Sequence, residues 1–295
     1  MLQNYGLLSR IKISHALVSV LSRNICLYNG SQQQQQQSAE TDREVKHHEK
    51  YATDWWNKNG PLAALHALNE IRVPLIRDGI VARGNVKSHY INTTKVLDGQ
   101  RILDVGCGAG VLTEQLARLG AQVTGIDLGE ELVKAARAHL SNCSPELSSR
   151  VQYEAEAINQ HAMQNCESYD AIVVSEVLEH VDDKVALLNS CVQTLKPGGS
   201  IFITTLNKTI PMWMGGVVLG EYVLSLAPRG THHWDKMIAP LDVQRILDTM
   251  NCQTVLINGS TYDFWHNTWR WINSTQLCYA LQAIKQKPDE YASSH

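Results

Sequence analysis

Two carboxylates and an imidazole lie close together near the middle of the chain. Glu176, Glu179 and His180 directly follow the apolar run 169–175. If this segment turns helically, Glu176 can share a face with either of the other two side chains. Carboxylates with an imidazole suit a divalent cation, Mg²⁺ or Mn²⁺ in the first place and Zn²⁺ or Fe²⁺ as alternatives. On spacing alone, a metal site and a metal-free role for His180, as a base or a structural cap, both remain open.

A glycine-rich turn earlier in the chain has the spacing of a ligand-binding loop. The run 101–105 is apolar enough for a buried strand, and Gly106, Gly108 and Gly110 follow it directly. A helical pattern begins immediately afterwards. Glycines let the backbone approach a ligand closely, and the start of a helix offers N–H groups and positive dipole to an anionic group. This order of elements predicts a cofactor site.

The spacing of the glycines indicates which kind of cofactor binds. A dinucleotide-binding fingerprint needs a third glycine at position 111, where this chain has Val111. The next predicted strand, 121–127, ends in Asp127, about twenty residues after the glycine turn, where an acid suits a ribose diol. We therefore predict a nucleoside cofactor, with Asp127 on its ribose, in preference to a plain turn.

The remaining elements alternate between strands and helices. Strands are predicted at 101–105, 121–127, 151–156, 169–175, 200–206, 252–258 and 275–284, and helices near 47–68, 110–119, 130–140, 182–195 and 241–250. Such alternation predicts a largely parallel sheet, whose carboxyl ends are the usual ligand-binding edge. The first helix, with Trp55 and Trp56, is expected to cover the cofactor cleft or the sheet edge.

The motifs in this order resemble the ubiquinone-biosynthesis O-methyltransferases, which are class I S-adenosylmethionine (SAM)-dependent enzymes. The resemblance spans about 51–285 and includes Trp-Trp at 55–56, Leu-Asn-Glu-Ile-Arg-Val-Pro at 68–74, Leu-Asp-Val-Gly-Cys-Gly at 103–108, Ser-Glu-Val-Leu-Glu-His-Val at 175–181, Leu-Lys-Pro-Gly-Gly at 195–199, Thr-Thr-Leu-Asn at 204–207 and Pro-Arg-Gly-Thr-His at 228–232. It implies a Rossmann-like α/β fold. The sheet would be mostly parallel and seven-stranded, with helices on both faces and an insertion after the fifth strand.

The resemblance also implies an activity and a set of site residues. The reaction would move a methyl group from SAM to catechol-type hydroxyls of polyprenylated ubiquinone precursors. The cofactor-binding residues would be Arg72, Gly106, Gly108, Asp127 and Ser175, the last through its backbone. The metal ligands, with Mg²⁺ as the expected cation, would be Glu176, Glu179 and His180. The catalytic residues would be Glu176 and His180. Some class I methyltransferases share the Glu-His motif but use no metal, which keeps His180 open as a base. The alternatives are a methyltransferase for another small molecule and a weakly active SAM-binding subunit of a lipid-synthesis complex.

The distribution of charge bears on partners and location. The net charge is −3, but residues 1–39 carry three of the 26 basic residues and no acid. The remaining 23 basic and 29 acidic residues give no electrostatic case for nucleic acid. A basic, acid-free start suits a mitochondrial transit peptide, with an ordinary disordered tail as the alternative. The implied location is the matrix side of the inner membrane, near other ubiquinone-synthesis proteins.

These observations predict a domain organisation. Residues 1–30 form the transit peptide, 31–46 a glutamine-rich linker, 47–288 the methyltransferase domain and 289–295 a tail. Within the insertion 207–240, Ile210–Pro228 carries one charge, and prolines close both of its ends. It is either a buried core helix or a segment that docks on the membrane surface, with Met212 and Trp213 among its apolar contacts.

Overall fold

A computed structural model of the chain describes residues 45–84, 86–212 and 236–287. Within these residues a single sheet contains eight strands in the order β3-β2-β1-β4-β5-β8-β6-β7. The strands are β1 (Arg101–Val105), β2 (Gln122–Asp127), β3 (Val151–Ala155), β4 (Tyr169–Ser175), β5 (Leu195–Leu206), β6 (Cys252–Asp263), β7 (Thr268–Ile272) and β8 (Cys278–Lys285). Strands β1 to β5 are parallel, β8 runs antiparallel to β5 and β6, and β7 runs antiparallel to β6.

Helices cover both faces of this sheet. They are α1 (Ala63–Ala82), α2 (Val111–Arg118), α3 (Glu130–Cys143), α4 (Ile158–Gln164), α5 (Lys184–Thr194) and α6 (Pro240–Thr249). Neighbouring residues of β1 point to opposite faces: Ile102 packs in a core with α1, α2 and α3, and Leu103 packs in a second core with α5 and α6. This two-sided core confirms the predicted α/β class and the helices on both faces.

The prediction of seven strands is wrong by one. The strand expected to end at 258 continues to Asp263, and the chain returns as β7 along the edge of the sheet. Residues 259–272 alternate small, polar and aromatic side chains, several of them partly exposed, so they carry little of the apolar periodicity that marks a buried strand.

The first predicted helix is also placed differently. The chain forms a helical turn at 45–49 and a 3₁₀ turn at Ala52–Asp54, and α1 begins only at Ala63, after Gly60 and Pro61. The helix then continues through Pro74 to Ala82. Buried residues beyond the proline, such as Ile76, pack against the sheet, and this packing offsets the lost backbone hydrogen bond.

Part of the predicted organisation lies outside the described residues. This applies to the transit peptide, to most of the linker, to the tail 289–295 and to 213–235, which holds most of the apolar segment Ile210–Pro228. Met212 is described and is 7% exposed, packed with Leu206 and Met237, so this side chain belongs to the core and is not a membrane contact. Across the described residues, no helix combines the length and apolarity that a membrane span requires.

Candidate active site

The glycine turn joins β1 to α2 with a backbone that needs glycine. Gly106 has φ +70 and Gly108 has φ +55, in the left-handed region that side chains rarely adopt. A Cβ atom at Gly108 would lie 2.4 Å from Cζ2 of Trp55. The indole therefore packs directly on the turn, which confirms that the Trp-Trp segment covers it, although not as the expected helix.

The two tryptophans are held differently. Trp56 Nε1 donates a 2.9 Å hydrogen bond to the carbonyl of Ala109, and its ring stacks on His139. Trp55 is 7% exposed, and its indole N–H has no hydrogen-bond acceptor among the described residues. Burying a donor without an acceptor costs about 1–3 kcal/mol. Because this N–H lies beside the glycine turn, an acceptor on a bound cofactor would satisfy it.

Asp127 is fixed between two turns of the backbone. Its Oδ2 accepts a 2.9 Å hydrogen bond from the Gly108 N–H, and its Oδ1 accepts one of 2.8 Å from the Gly129 N–H. Burial raises the pKa of the Asp127 carboxyl, and these backbone hydrogen bonds partly oppose that rise. Each carboxylate oxygen keeps a second acceptor site, so the pair of oxygens can bind both hydroxyls of a ribose.

Arg72 points from α1 to the carboxyl end of β4. The side chain is 3% exposed, with Nε donating to Asn69 Oδ1 at 2.6 Å and Nη1 donating to Ser175 Oγ at 2.8 Å. Burial lowers its pKa to about 10, and the charges of Asp104 and Glu176 oppose that shift. The guanidinium is therefore still charged at neutral pH and can pair with an anionic group.

A relay of hydroxyls leads from Arg72 to Glu176. Thr204 Oγ1 donates to Glu176 Oε1 at 2.8 Å, and Ser175 Oγ lies 2.6 Å from Thr204 Oγ1. A hydroxyl has one proton to donate, so Ser175 must donate to Thr204 while it accepts from Arg72. The sequence analysis expected only the backbone at position 175 and gave no role to Thr204. The available signal was the Thr-Thr pair at the end of β5, since Ser175 pairs with Thr204 across the parallel strands.

The carboxylates of Glu176 and Glu179 come together without a helix. Glu176 has φ +57, and a short 3₁₀ turn, Leu178–His180, follows it, so the expected helical face is wrong. Glu179 is 1% exposed; its Oε2 accepts a 2.6 Å hydrogen bond from Thr205, while no described residue donates to its Oε1. Burial and then the charge of Glu176 raise the pKa of Glu179 well above its usual range. Two adjacent carboxyls with an unsatisfied buried oxygen fit a divalent cation.

His180, the third predicted metal ligand, is not grouped with Glu176 and Glu179. The His180 ring makes an edge contact with His48, with 4.8 Å between ring centroids. Among the described residues, a group of three possible ligands within 4.8 Å of one another occurs at Glu154, Glu156 and His161, not at the predicted triad. Both ring nitrogens of His161 are already engaged, Nδ1 with Glu156 and Nε2 with the Tyr169 hydroxyl. This second group, which sequence reasoning missed, therefore joins α4 to β3 and β4.

Comparison with known proteins agrees with this fold. The methyltransferase domain family matches residues 103–203, from β1 to β5. A solved structure of magnesium protoporphyrin IX methyltransferase from Synechocystis PCC 6803, with bound SAM, has a TM-score of 0.56 and 16% identity, covering 84% of this chain and 98% of that one. At this identity the likeness shows the fold, that of class I SAM-dependent methyltransferases.

Similarity in sequence is much higher to one group of enzymes. The ubiquinone biosynthesis O-methyltransferase of Rattus norvegicus mitochondria is 40% identical over 249 residues, which are 84% of this chain and 71% of that protein. The enzyme of that name from Xanthomonas campestris pv. campestris is 40% identical over 234 residues, 79% of this chain and 90% of that protein. The chain therefore belongs to the family of ubiquinone biosynthesis O-methyltransferases.

Proposed function

We propose that this protein transfers a methyl group from SAM to a catechol-type hydroxyl of a polyprenylated ubiquinone precursor. Its family membership supports the reaction class, and the relatives' names give the pathway. The observation that carries the proposal is the pairing of two sites at one sheet edge. Asp127 and the glycine turn form a nucleoside-binding half, and Glu176 with Glu179 form an acidic half.

The cofactor half matches the chemical groups of SAM. Asp127 would accept the two ribose hydroxyls, because its oxygens are aimed by the Gly108 and Gly129 N–H groups. The methionine carboxylate would face the start of α2 and the buried guanidinium of Arg72. Trp55, which lies on Gly108, would exclude water from the turn and offer its N–H to the cofactor.

The acidic half would handle the proton of the acceptor. A phenol has a pKa near 10, so most of it is protonated at neutral pH and is a poor nucleophile. Glu176, held by Thr204, would accept the hydrogen bond of the reacting hydroxyl, with His180 as the alternative base. A divalent cation bound by Glu176 and Glu179, with His180 as a further candidate ligand, would stabilise the phenolate and orient the ring.

The methyl transfer step removes charge as the new bond forms. A negative phenolate oxygen attacks the methyl carbon in line with the positive sulfonium, and a thioether leaves. Since the charges cancel in the transition state, a site that excludes water favours the step. Aligning the two substrates could itself supply up to ~7–11 kcal/mol of the barrier. Trp55 and the buried end of α1 would provide such an enclosed site.

The cellular setting is part of the proposal. The animal relatives are named mitochondrial, and residues 1–39 of this chain are basic and acid-free, which supports import into mitochondria. The substrate would be drawn from the matrix side of the inner membrane, and other ubiquinone-synthesis proteins would be its partners.

A methyl-transfer assay tests the proposal. Purified protein is incubated with radiolabelled SAM and a short-chain prenyl catechol, with and without a chelator. We expect label in the methoxy product, and loss of turnover in the chelator. No transfer to any catechol, with SAM binding intact by calorimetry, would contradict the proposed acceptor.

A further inference from the structure

The segment that covers the glycine turn is held in place by its side chains. We call residues 45–62, which precede α1, the cover segment. Its backbone hydrogen bonds between 48 and 63 join residues three positions apart, so they shape its local turns and do not attach it to the domain. Trp55 from this segment lies on Gly108. The contacts that keep the segment over the turn are therefore side-chain contacts, and the strongest of them lead to α3.

The cover segment meets α3 at two points. Glu49 Oε1 accepts a 3.2 Å hydrogen bond from the backbone N–H of Glu131, in the first turn of the helix. The ring of Trp56 stacks on His139, with 3.4 Å between the ring centroids and the planes within 2° of parallel. Eight residues of helix separate these two points by roughly 12 Å. The second point is tied to the glycine turn, because Trp56 Nε1 also donates to the carbonyl of Ala109.

A buried acid fixes the ring of His139 from its other side. His139 Nδ1 lies 2.8 Å from Oε1 of Glu114, a residue of α2 that is 1% exposed. An ionised carboxylate only accepts hydrogen bonds, so the proton lies on Nδ1. Ser144 donates to the other oxygen of Glu114 at 2.6 Å, and Arg118 lies 3.8 Å from it. The imidazole is thereby held in one orientation, ready to receive the indole.

A second histidine approaches the tryptophan pair from α1. His66 Nε2 lies 2.8 Å from the carbonyl oxygen of Trp55 and must donate to it, since a carbonyl only accepts. Burial lowers the pKa of His66, so this ring is neutral at neutral pH. The His66 ring also makes an edge contact with Trp56, with 6.0 Å between the ring centroids. Trp56 is thus held between His66 of α1 and His139 of α3.

We propose that His139 is a positioning residue that keeps the cover segment closed and slows the exchange of SAM. It acts through Trp56, whose neighbour Trp55 lies on the glycine turn. A bound cofactor is released when the cover segment lifts from the turn, and lifting it separates the stacked rings of Trp56 and His139. The inference rests on the proposed function, because it takes the bound cofactor to be SAM.

Two substitutions of His139 separate positioning from stability. His139→Asn keeps an amide N–H where Nδ1 meets Glu114 and removes most of the ring. His139→Phe keeps a ring that can stack on Trp56 and removes the hydrogen bond to the buried acid. In a chase of radiolabelled SAM, we expect dissociation three- to tenfold faster from His139→Asn and at most about twofold faster from His139→Phe. Urea unfolding should show the reverse order, with the larger loss of stability in His139→Phe.

Trypsin reports on the cover segment directly. Lys50 and Lys58 are exposed within it. In the cofactor-free protein, cleavage at these two sites should be several-fold faster in His139→Asn than in the wild type, while the rest of the domain stays resistant. Ser144→Ala is the matched control, because it removes a different hydrogen bond to Glu114 and leaves Trp56 untouched. It should lower stability, with SAM dissociation and tryptic cleavage of the segment like those of the wild type.

Equal rates of SAM dissociation from His139→Asn and the wild type would overturn the proposal. So would faster dissociation without faster cleavage at Lys50 and Lys58, because His139 would then act by another route than the cover segment. These results are distinguishable from failure of the proposed function. If the protein binds SAM but methylates no catechol, the proposed acceptor fails and the dissociation rates still decide the role of His139. If it binds no SAM, the proposed function fails, and equal cleavage of the two cofactor-free proteins would overturn the positioning role as well.

Discussion

Arg72 and Glu176 are joined by two hydroxyl groups that can donate in one direction only. The guanidinium donates to Ser175, Ser175 to Thr204 and Thr204 to the Glu176 carboxylate. The proposed cofactor residue and the proposed acceptor residue are thus parts of one hydrogen-bond network, in which each bond polarises the next. Binding of SAM at Arg72 and of the acceptor at Glu176 should therefore be coupled energetically.

The Ser175→Ala variant tests this relay. It leaves Arg72 and Thr204 each with one hydrogen bond fewer in a buried site, which should cost about 1–3 kcal/mol in total. We expect roughly a tenfold or greater loss of SAM affinity by calorimetry, together with slower single-turnover transfer. Ser141→Ala, which removes an exposed hydroxyl on α3, is the control. Unchanged SAM affinity and transfer in Ser175→Ala would show that the relay is not used.

Asp127 is expected to account for much of the SAM affinity. In Asp127→Ala the ribose hydroxyls lose their acceptors in a closed site, at a cost of about 1–3 kcal/mol. Calorimetry should show Kd higher by roughly one to two orders of magnitude. Asp170→Asn is the matched control, because Asp170 lies at the opposite edge of the sheet. It accepts hydrogen bonds there from the backbone N–H of Arg101 and from Nζ of Lys196. Wild-type affinity in Asp127→Ala would rule out its role on the ribose.

Glu179 is expected to act in turnover and not in cofactor binding. Glu179→Gln keeps the shape and the Thr205 contact but removes the charge that a cation needs. Turnover should fall at least a hundredfold, as it should in a chelator, while SAM affinity stays within a factor of two or so. Glu154→Gln, in the other acidic group, should keep full activity. If the wild type stays fully active after exhaustive chelation, the metal proposal is wrong, and His180→Gln becomes the informative variant.

The indole N–H of Trp55 is expected to bind the cofactor. Trp55→Phe keeps an aromatic ring on Gly108 and removes the donor. SAM affinity should fall several-fold, and the stability of the cofactor-free protein should change little, because this N–H is unsatisfied there. Trp269→Phe is the matched control, since the indole N–H of Trp269 already donates a hydrogen bond to the carbonyl of Ala64. It should lower the unfolding free energy by about 1 kcal/mol and leave SAM affinity unchanged. A full-affinity Trp55→Phe protein would contradict this role.

Burial of Asp104 predicts a dependence of stability on pH. Its pKa is raised from about 4 to about 6, chiefly by burial, while Thr113 and Arg72 oppose the shift. The folded state then holds a proton more tightly than the unfolded state, so the unfolding free energy should decrease as pH rises from about 4 to about 6. Asp104→Asn has no such proton. Urea unfolding across this pH range should show a smaller decrease of the unfolding free energy in the variant. If the unfolding free energy depends on pH with the same slope in both proteins, the raised pKa of Asp104 is refuted.

The class of fold, and the meeting of the glycine turn with Asp127, could be predicted from the sequence. Alternating apolar runs and helical patterns encode strands and helices locally, and their alternation requires a mostly parallel sheet. Because parallel strands end at one edge, the glycine turn after β1 and Asp127 at the end of β2 had to meet. The structure joins them through a hydrogen bond from Gly108 to Asp127.

The contacts between distant segments could not be predicted from local sequence patterns. Ser175 meets Thr204 because β4 and β5 are adjacent in one particular register, and Trp55 covers Gly108 because an irregular segment folds back over the turn. Glu176 and Glu179 approach each other through a left-handed residue and not through a helix. The hairpin between β6 and β7 has no local apolar period. Local periodicity reports which face of an element is buried, whereas strand register and loop packing depend on the whole core.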